Sequence, residues 1–106
     1  MSDNQEASTA SLDLQAEKPE YVLRLFITGA TPNSIRAVVN IKQICEEYLK
    51  GKHSLEIIDC YREQNLAEQE QLIALPLLIK KRPLPERRLI GDMADTQKVL
   101  RGLGII

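Results

Sequence analysis

The sequence predicts an α/β sandwich with the element order β-α-β-α-β-β-α, and three observations carry that prediction. A near-continuous apolar run, YVLRLFIT, passes through Gly29 straight into a long amphipathic segment, which is the opening of a β-α-β unit. A second short apolar run, LEIIDC, follows that segment after the four-residue link GKHS. Further on, two more runs, PLLIKK and RRLIGD, flank the proline-rich turn RPLPE, a pattern that suits an antiparallel hairpin.

Taken in order, residues 21–28 read as a buried strand, because Val22, Leu23, Leu25, Phe26 and Ile27 leave little room for a solvated face. Residues 33–50 read as a helix, with Ile35, Val38, Val39, Ile41, Ile44, Cys45, Tyr48 and Leu49 at helical spacing. Thr31 or Asn33 can cap its start, Pro32 suits its first turn and Gly51 its end. Residues 55–60 form the second strand, parallel to the first through a right-handed crossover. A second helix is expected over 65–75, with Asn65 and Glu68 as a capping pair and Leu66, Leu72 and Ile73 on its inner side. Pro76 stops that helix and opens the third strand. The fourth strand follows the turn, and a last helix over 94–103 starts near Asp92 or Asp95 and turns Val99, Leu100 and Leu103 inward. This order describes a thioredoxin-like sandwich.

Size and composition narrow the function classes. The chain has 106 residues, enough for one domain. Residues 1–18 are polar, with Leu12 and Leu14 as their sizeable apolar side chains, and are expected to form a disordered tail before a domain over 19–106. That tail lacks the basic start and apolar centre of a secretory signal. No run approaches the roughly 18 apolar residues of a membrane span, so a soluble, cytoplasmic protein is expected. A formal net charge of −1 argues against nucleic-acid binding, which draws on a cationic surplus. Locally, Lys80, Lys81, Arg82, Arg87 and Arg88 form a basic cluster, which a solvated hairpin and a binding patch explain equally well.

The turn after the first strand carries Thr31, Pro32, Asn33 and Ser34, without cysteine, histidine or a phosphate-binding glycine pattern. Thioredoxin-type catalysis needs two cysteines there, one a thiolate with a lowered pKa. Cys45 and Cys60 lie in different elements and make no C-x-x-C pair, and Cys45 falls on the apolar side of a helix, where burial raises its pKa. A thiol-disulfide enzyme is therefore the least favoured reading. His53, the one histidine, cannot complete a metal site, and no cofactor is expected.

The segments YVLRLFITGATPNSIRA, LEIIDCYREQNLAEQEQLIALPLLIKK and PLPERRLIGDMAD together resemble the KaiB family of circadian clock proteins. The resemblance runs from Tyr21 to Leu103 and rests on the TPNS turn, the acidic helix before Pro76 and the RPLPERRLIGD hairpin. It implies a non-enzymatic regulator that binds the ATPase ring of a KaiC-like partner, sequesters KaiA and displaces the thioredoxin-like sensor domain of the kinase SasA. It also implies a second fold, a tetrameric ground state with a rearranged C-terminal half, lying within a few kcal/mol of the thioredoxin-like form. Carried over by position, the KaiC-facing surface would take Thr31, Pro32, Asn33, Ser34 and Arg36, then Asn65, Leu66 and Ala67, and the hairpin residues Lys80 and Arg88. Pro76 can be cis, as the equivalent proline often is in thioredoxin-like folds, or trans, which would mark a different packing; the sequence leaves the two open.

Departures from the family pattern refine these expectations. Glu56 stands on the strand that holds KaiA, where the family usually has lysine, and a reversed charge there disfavours KaiA capture. Lys81, Arg82 and Glu86 replace common apolar residues in the hairpin, which weakens an apolar tetramer contact. A monomer in the thioredoxin-like fold is expected, with the tetramer as the alternative. A diverged adaptor acting outside the core clock is the alternative function.

Overall fold

The computed structural model describes residues 18–70 and 74–106, so the expected tail, apart from Lys18, and the inner positions Leu72 and Ile73 lie outside the described residues. The element order is as expected: β1 (Tyr21–Ile27), α1 (Pro32–Tyr48), β2 (His53–Asp59), α2 (Gln64–Gln69), β3 (Leu77–Arg82), β4 (Arg87–Ile90) and α3 (Thr96–Leu103). The strands form one sheet in the order β2-β1-β3-β4. β1 and β2 run parallel, while β3 pairs antiparallel with β1 and β4 antiparallel with β3. This is the thioredoxin-like arrangement, and it places Glu56 on an edge strand.

β1 is central and has a core on each face, which explains an apolar run broken only by Arg24. On one face Leu23 and Leu25 pack with Ala37, Ile41, Ile44 and Cys45 of α1 and with Val99, Leu100 and Leu103 of α3. On the other face Phe26 packs with Ile58, Leu77 and Ile79, partly covered by Leu66 of α2 and by Leu75. Among the described residues the second core is the smaller. In α3, Gly102 lets the helix approach β4 closely, since a Cβ there would sit 2.5 Å from the Leu89 side chain.

Local chemistry sets the element ends. Thr31 is the N-cap of α1, its hydroxyl accepting from the Ser34 N–H at 3.3 Å, with Pro32 in the first turn. Asp95 caps α3 by accepting from the Lys98 N–H at 3.1 Å, and Gly104 ends it in the left-handed region. The expected cap at Asn65 is not used: α2 begins one residue earlier, its N-cap is Glu63, and no side chain caps it. The cause lies upstream, where the Asp59 carbonyl accepts from both the Arg62 and Glu63 N–H groups at 2.9 Å and turns the chain before Asn65 is reached. α2 is also shorter than expected, ending at Gln69. Leu75–Pro76 is cis.

β3 carries one irregularity that matters later. Its register against β1 shifts between Val22 and Leu23, so that Lys80 pairs with Leu23, Arg82 with Val22, and Lys81 is left over. A bulged residue of this kind re-aims its side chain.

Candidate functional site

The carboxyl ends of the parallel strands β1 and β2 meet at one end of the sheet, the usual place for a working surface in α/β proteins. The β1–α1 turn there is held by a compact set of hydrogen bonds. Ser34 Oγ accepts from the Thr28 N–H at 3.1 Å and from the Thr31 hydroxyl at 2.9 Å. Asp59, at the end of β2, accepts from the Gly29 N–H at 3.2 Å and the Tyr61 N–H at 2.9 Å, tying the two loops together. Gly29 has φ +56 and stands against the Tyr61 ring, so both its conformation and its neighbour favour glycine.

These bonds divide the candidate residues by role. Ser34 is 1% exposed and its hydroxyl serves the turn, so it positions the surface rather than forming it. Thr31 spends its hydroxyl on the cap and on Ser34 while its side chain stays exposed. Pro32 and Asn33 are exposed, and with Thr28, Thr31, Leu75 and Pro76 they line a shallow cleft of about 430 Å³. Arg36 donates to Asn33 Oδ1 and, through Nε, to Asp92 Oδ2 at 3.3 Å, which ties α1 to the loop after β4. That loop is held further by Asn40, whose side-chain amide donates to the Asp92 carbonyl at 2.9 Å. Asn65 and Leu66 lie in a neighbouring hollow with Arg62, Glu63 and Gln64. Ala67 belongs to α2.

Two candidates stand apart from this end. Lys80 is 5% exposed and lies near Gly104, at the C-terminal end of α3, where burial and the adjacent Arg87 push its pKa down. Its side chain is largely withdrawn from solvent in this arrangement. Arg88 lies on the α2 side of the sheet, where its guanidinium pairs with Glu70. The basic cluster is thus split between the two faces and partly neutralised.

Sequence reasoning passed over one feature of this end. Ile35, 52% exposed, and Val39 flank an almost wholly apolar groove with Ile27, Gly29 and Val38, and Tyr61 stands beside it at 70% exposure. Both belong to the apolar set at helical spacing in α1, yet the buried positions Ala37, Ile41, Ile44 and Cys45 form a stripe that excludes them. A helical wheel drawn on that stripe would have separated the two sets.

The thiols are not placed for catalysis. Cys45 is buried and desolvation pushes its pKa up to about 11, while Cys60 is half-buried and is raised by desolvation and by the neighbouring Asp59. Among the described residues no group of His, Cys, Asp and Glu is placed to hold a metal ion, and no helix is long and apolar enough to cross a membrane.

The model of the KaiB domain matches residues 24–105. The chain belongs to the KaiB family. It is 43% identical over 91 residues to the circadian clock oscillator protein KaiB of Prochlorococcus marinus (strain MIT 9515), covering 86% of this chain and 84% of that protein. The Microcystis aeruginosa protein of the same name is 44% identical over 89 residues, covering 84% of this chain and 86% of the relative. These KaiB-family relatives carry the names of clock proteins and not of enzymes. Among solved structures, the N-terminal domain of Synechococcus elongatus SasA matches all of this chain and 96% of its own, with TM-score 0.64 and 22% identity. The Drosophila melanogaster thioredoxin Deadhead matches 89% of this chain and 88% of its own, with TM-score 0.69 and 15% identity. At these identities the two structures speak for the fold.

The Ser34 network gives a direct test of the turn. Ser34→Ala removes the acceptor of a backbone N–H and of a hydroxyl in a buried position, and is expected to cost about 1–2 kcal/mol. Urea unfolding followed by far-UV circular dichroism measures it, and a loss below about 0.5 kcal/mol would mean the turn is held without this hydroxyl.

Proposed function

We propose that this KaiB-family chain is a non-enzymatic clock-type regulator that docks on a KaiC-like ATPase ring. The family match supports the partner class, and one structural observation carries the docking mode. The β1–α1 turn is fixed by the Ser34 and Asp59 hydrogen bonds and presents Pro32 and Asn33 outward beside the exposed Ile35. A surface fixed before contact loses little conformational entropy on binding. Its chemistry is that of an interface, with apolar groups, an amide and the Arg36 guanidinium. Asn65 and Leu66 extend the surface across the neighbouring loop. A SasA-like sensor domain has the same fold, which supports competition for one ring site. The chain acts as a monomer in the cytoplasm in this reading.

Binding to a KaiC-type hexamer in ATP, read by size-exclusion co-elution and then by titration, tests the proposal. Asn33→Ala with Arg36→Ala is expected to weaken binding at least about tenfold. Both side chains are exposed, so the fold should survive. Binding unchanged by the pair would remove this end of the sheet from the interface.

One observation favours a second reading, that of an adaptor outside the core clock. Glu56, on edge strand β2, pairs with Arg24 at 3.2 Å, so an exposed carboxylate and not an ammonium group stands at this edge. A KaiA-type partner selected by lysine at this position would meet repulsion. Absence of co-elution by the folded wild type would select this reading.

A further inference from the structure

Glu70 follows α2 directly, and its side chain is 14% exposed. Three cations surround its carboxylate, each from a different strand. Lys81 Nζ of β3 lies 2.8 Å from Oε2, Arg24 Nη1 of β1 lies 3.6 Å from Oε2, and Arg88 Nη2 of β4 lies 3.5 Å from Oε1. Arg88 Nη2 also donates to the Glu70 backbone carbonyl at 2.6 Å. The outer members of the cluster are Glu56, 3.2 Å from Arg24, and Glu86, 3.8 Å from Lys81. Three cations and three carboxylates cancel, so the cluster offers no site for an anion. It is an internal fastening, and Lys81 reaches it from the bulge in β3.

Among the described residues, what it fastens is weakly held by other means. α2 has six residues and no side-chain cap, and Gln64, Asn65, Glu68 and Gln69 are exposed. A helix of that length does not persist unaided. Beneath it lies the smaller core of Phe26, Ile58, Leu77 and Ile79, against which Leu66 is only partly buried. Ion pairs between exposed side chains contribute little. Here, however, the carboxylate is largely withdrawn from water and shared by several donors, where charge-assisted bonds are stronger and breaking one partner leaves uncompensated charge.

We propose that Glu70 is an electrostatic latch that holds α2 as a lid on the Phe26 face of the sheet. Weakening the latch opens α2 locally while the α1–α3 side stays folded. The device works whatever partner the chain binds. Loss of Glu70 would leave Arg24, Lys81 and Arg88 facing one another, so the effect on the lid exceeds the loss of one attraction. Loss of Lys81 leaves two cations on the carboxylate and has the milder effect.

Amide hydrogen exchange on the full chain, resolved by residue, tests the latch. Glu70→Gln keeps the shape and removes the charge. It is expected to speed exchange of the Leu66 to Glu70 amides about tenfold, with the amides of Leu25, Ile41 and Leu100 unchanged. Raising salt from about 20 mM to about 500 mM should speed the same α2 amides in the wild type and have little effect in Glu70→Gln. Lys81→Met should fall between the two, and it carries the test if Glu70→Gln does not fold. The proposal is overturned if α2 exchange is unprotected in the wild type, is insensitive to salt and to both substitutions, or rises equally in α1 and α3.

Discussion

Phe26→Ala is expected to destabilise the domain by about 3–5 kcal/mol, a large share of the roughly 5–15 kcal/mol available to a domain. Phe26 is the one phenylalanine of the chain and is fully buried at the centre of the smaller core, with Ile58, Leu77 and Ile79 around it. Two terms add: the lost transfer of the ring out of water, and the cavity it leaves. The cavity is hard to close, because the central strand β1 is pinned on both sides by β2 and β3 and cannot shift alone. α2 offers little repacking, since Leu66 is its partly buried apolar anchor in this core. A melting temperature lower by about 12–40 °C is the corresponding observable, at about 4–8 °C per kcal/mol for a domain of this size. The chain has no tryptophan, so circular dichroism is the natural probe. A loss below about 1.5 kcal/mol would show that the Phe26 face is not a cooperative part of the core.

How far the sequence revealed this structure depends on the range of the interaction. The α1 start was legible because Thr31, Pro32 and Ser34 act within three residues of one another. β1 was legible as a strand buried on both faces because Leu23 and Leu25 meet one core and Phe26 the other. The inward face of α3, Val99, Leu100 and Leu103, followed from helical spacing alone. What failed was decided at a distance. Asn65 looked like a cap in its local window, but hydrogen bonds to the Asp59 carbonyl had already set where α2 begins. Lys80 looked like a surface charge, yet the register of β3 turns it under the end of α3 and leaves Lys81 to the opposite face. The basic cluster could not be assigned from sequence because its main counter-charge, Glu70, sits on another element and meets residues of three strands only in the fold. Of the candidate surface, the β1–α1 turn was visible as a place, while the division between Ser34, which holds it, and Asn33, which faces out, needed the hydrogen bonds.

Cys45 provides a second large effect, seen at alkaline pH. Its thiol sits in the main core beside Ile41 and Ile44, and desolvation raises its pKa from 9.0 to about 11. In the unfolded chain the thiol ionises at its ordinary value, so the folded state binds the proton more tightly. The resulting stability is fully present below pH 9.0 and is lost as the pH rises through about 11. The shift corresponds to about 3 kcal/mol in total, most of which should be gone by about pH 10.5. Tyrosines and lysines titrate in the same range, so the comparison that isolates the thiol is wild type against Cys45→Ala. The variant starts less stable through lost packing, but its stability should fall less steeply above about pH 9. Parallel pH curves for the two proteins would place the thiol's ionisation at its ordinary value and show that the α1–β1 interior admits water. The same burial predicts the order of modification: half-buried Cys60 reacts first with a thiol reagent, and Cys45 waits for the core to open.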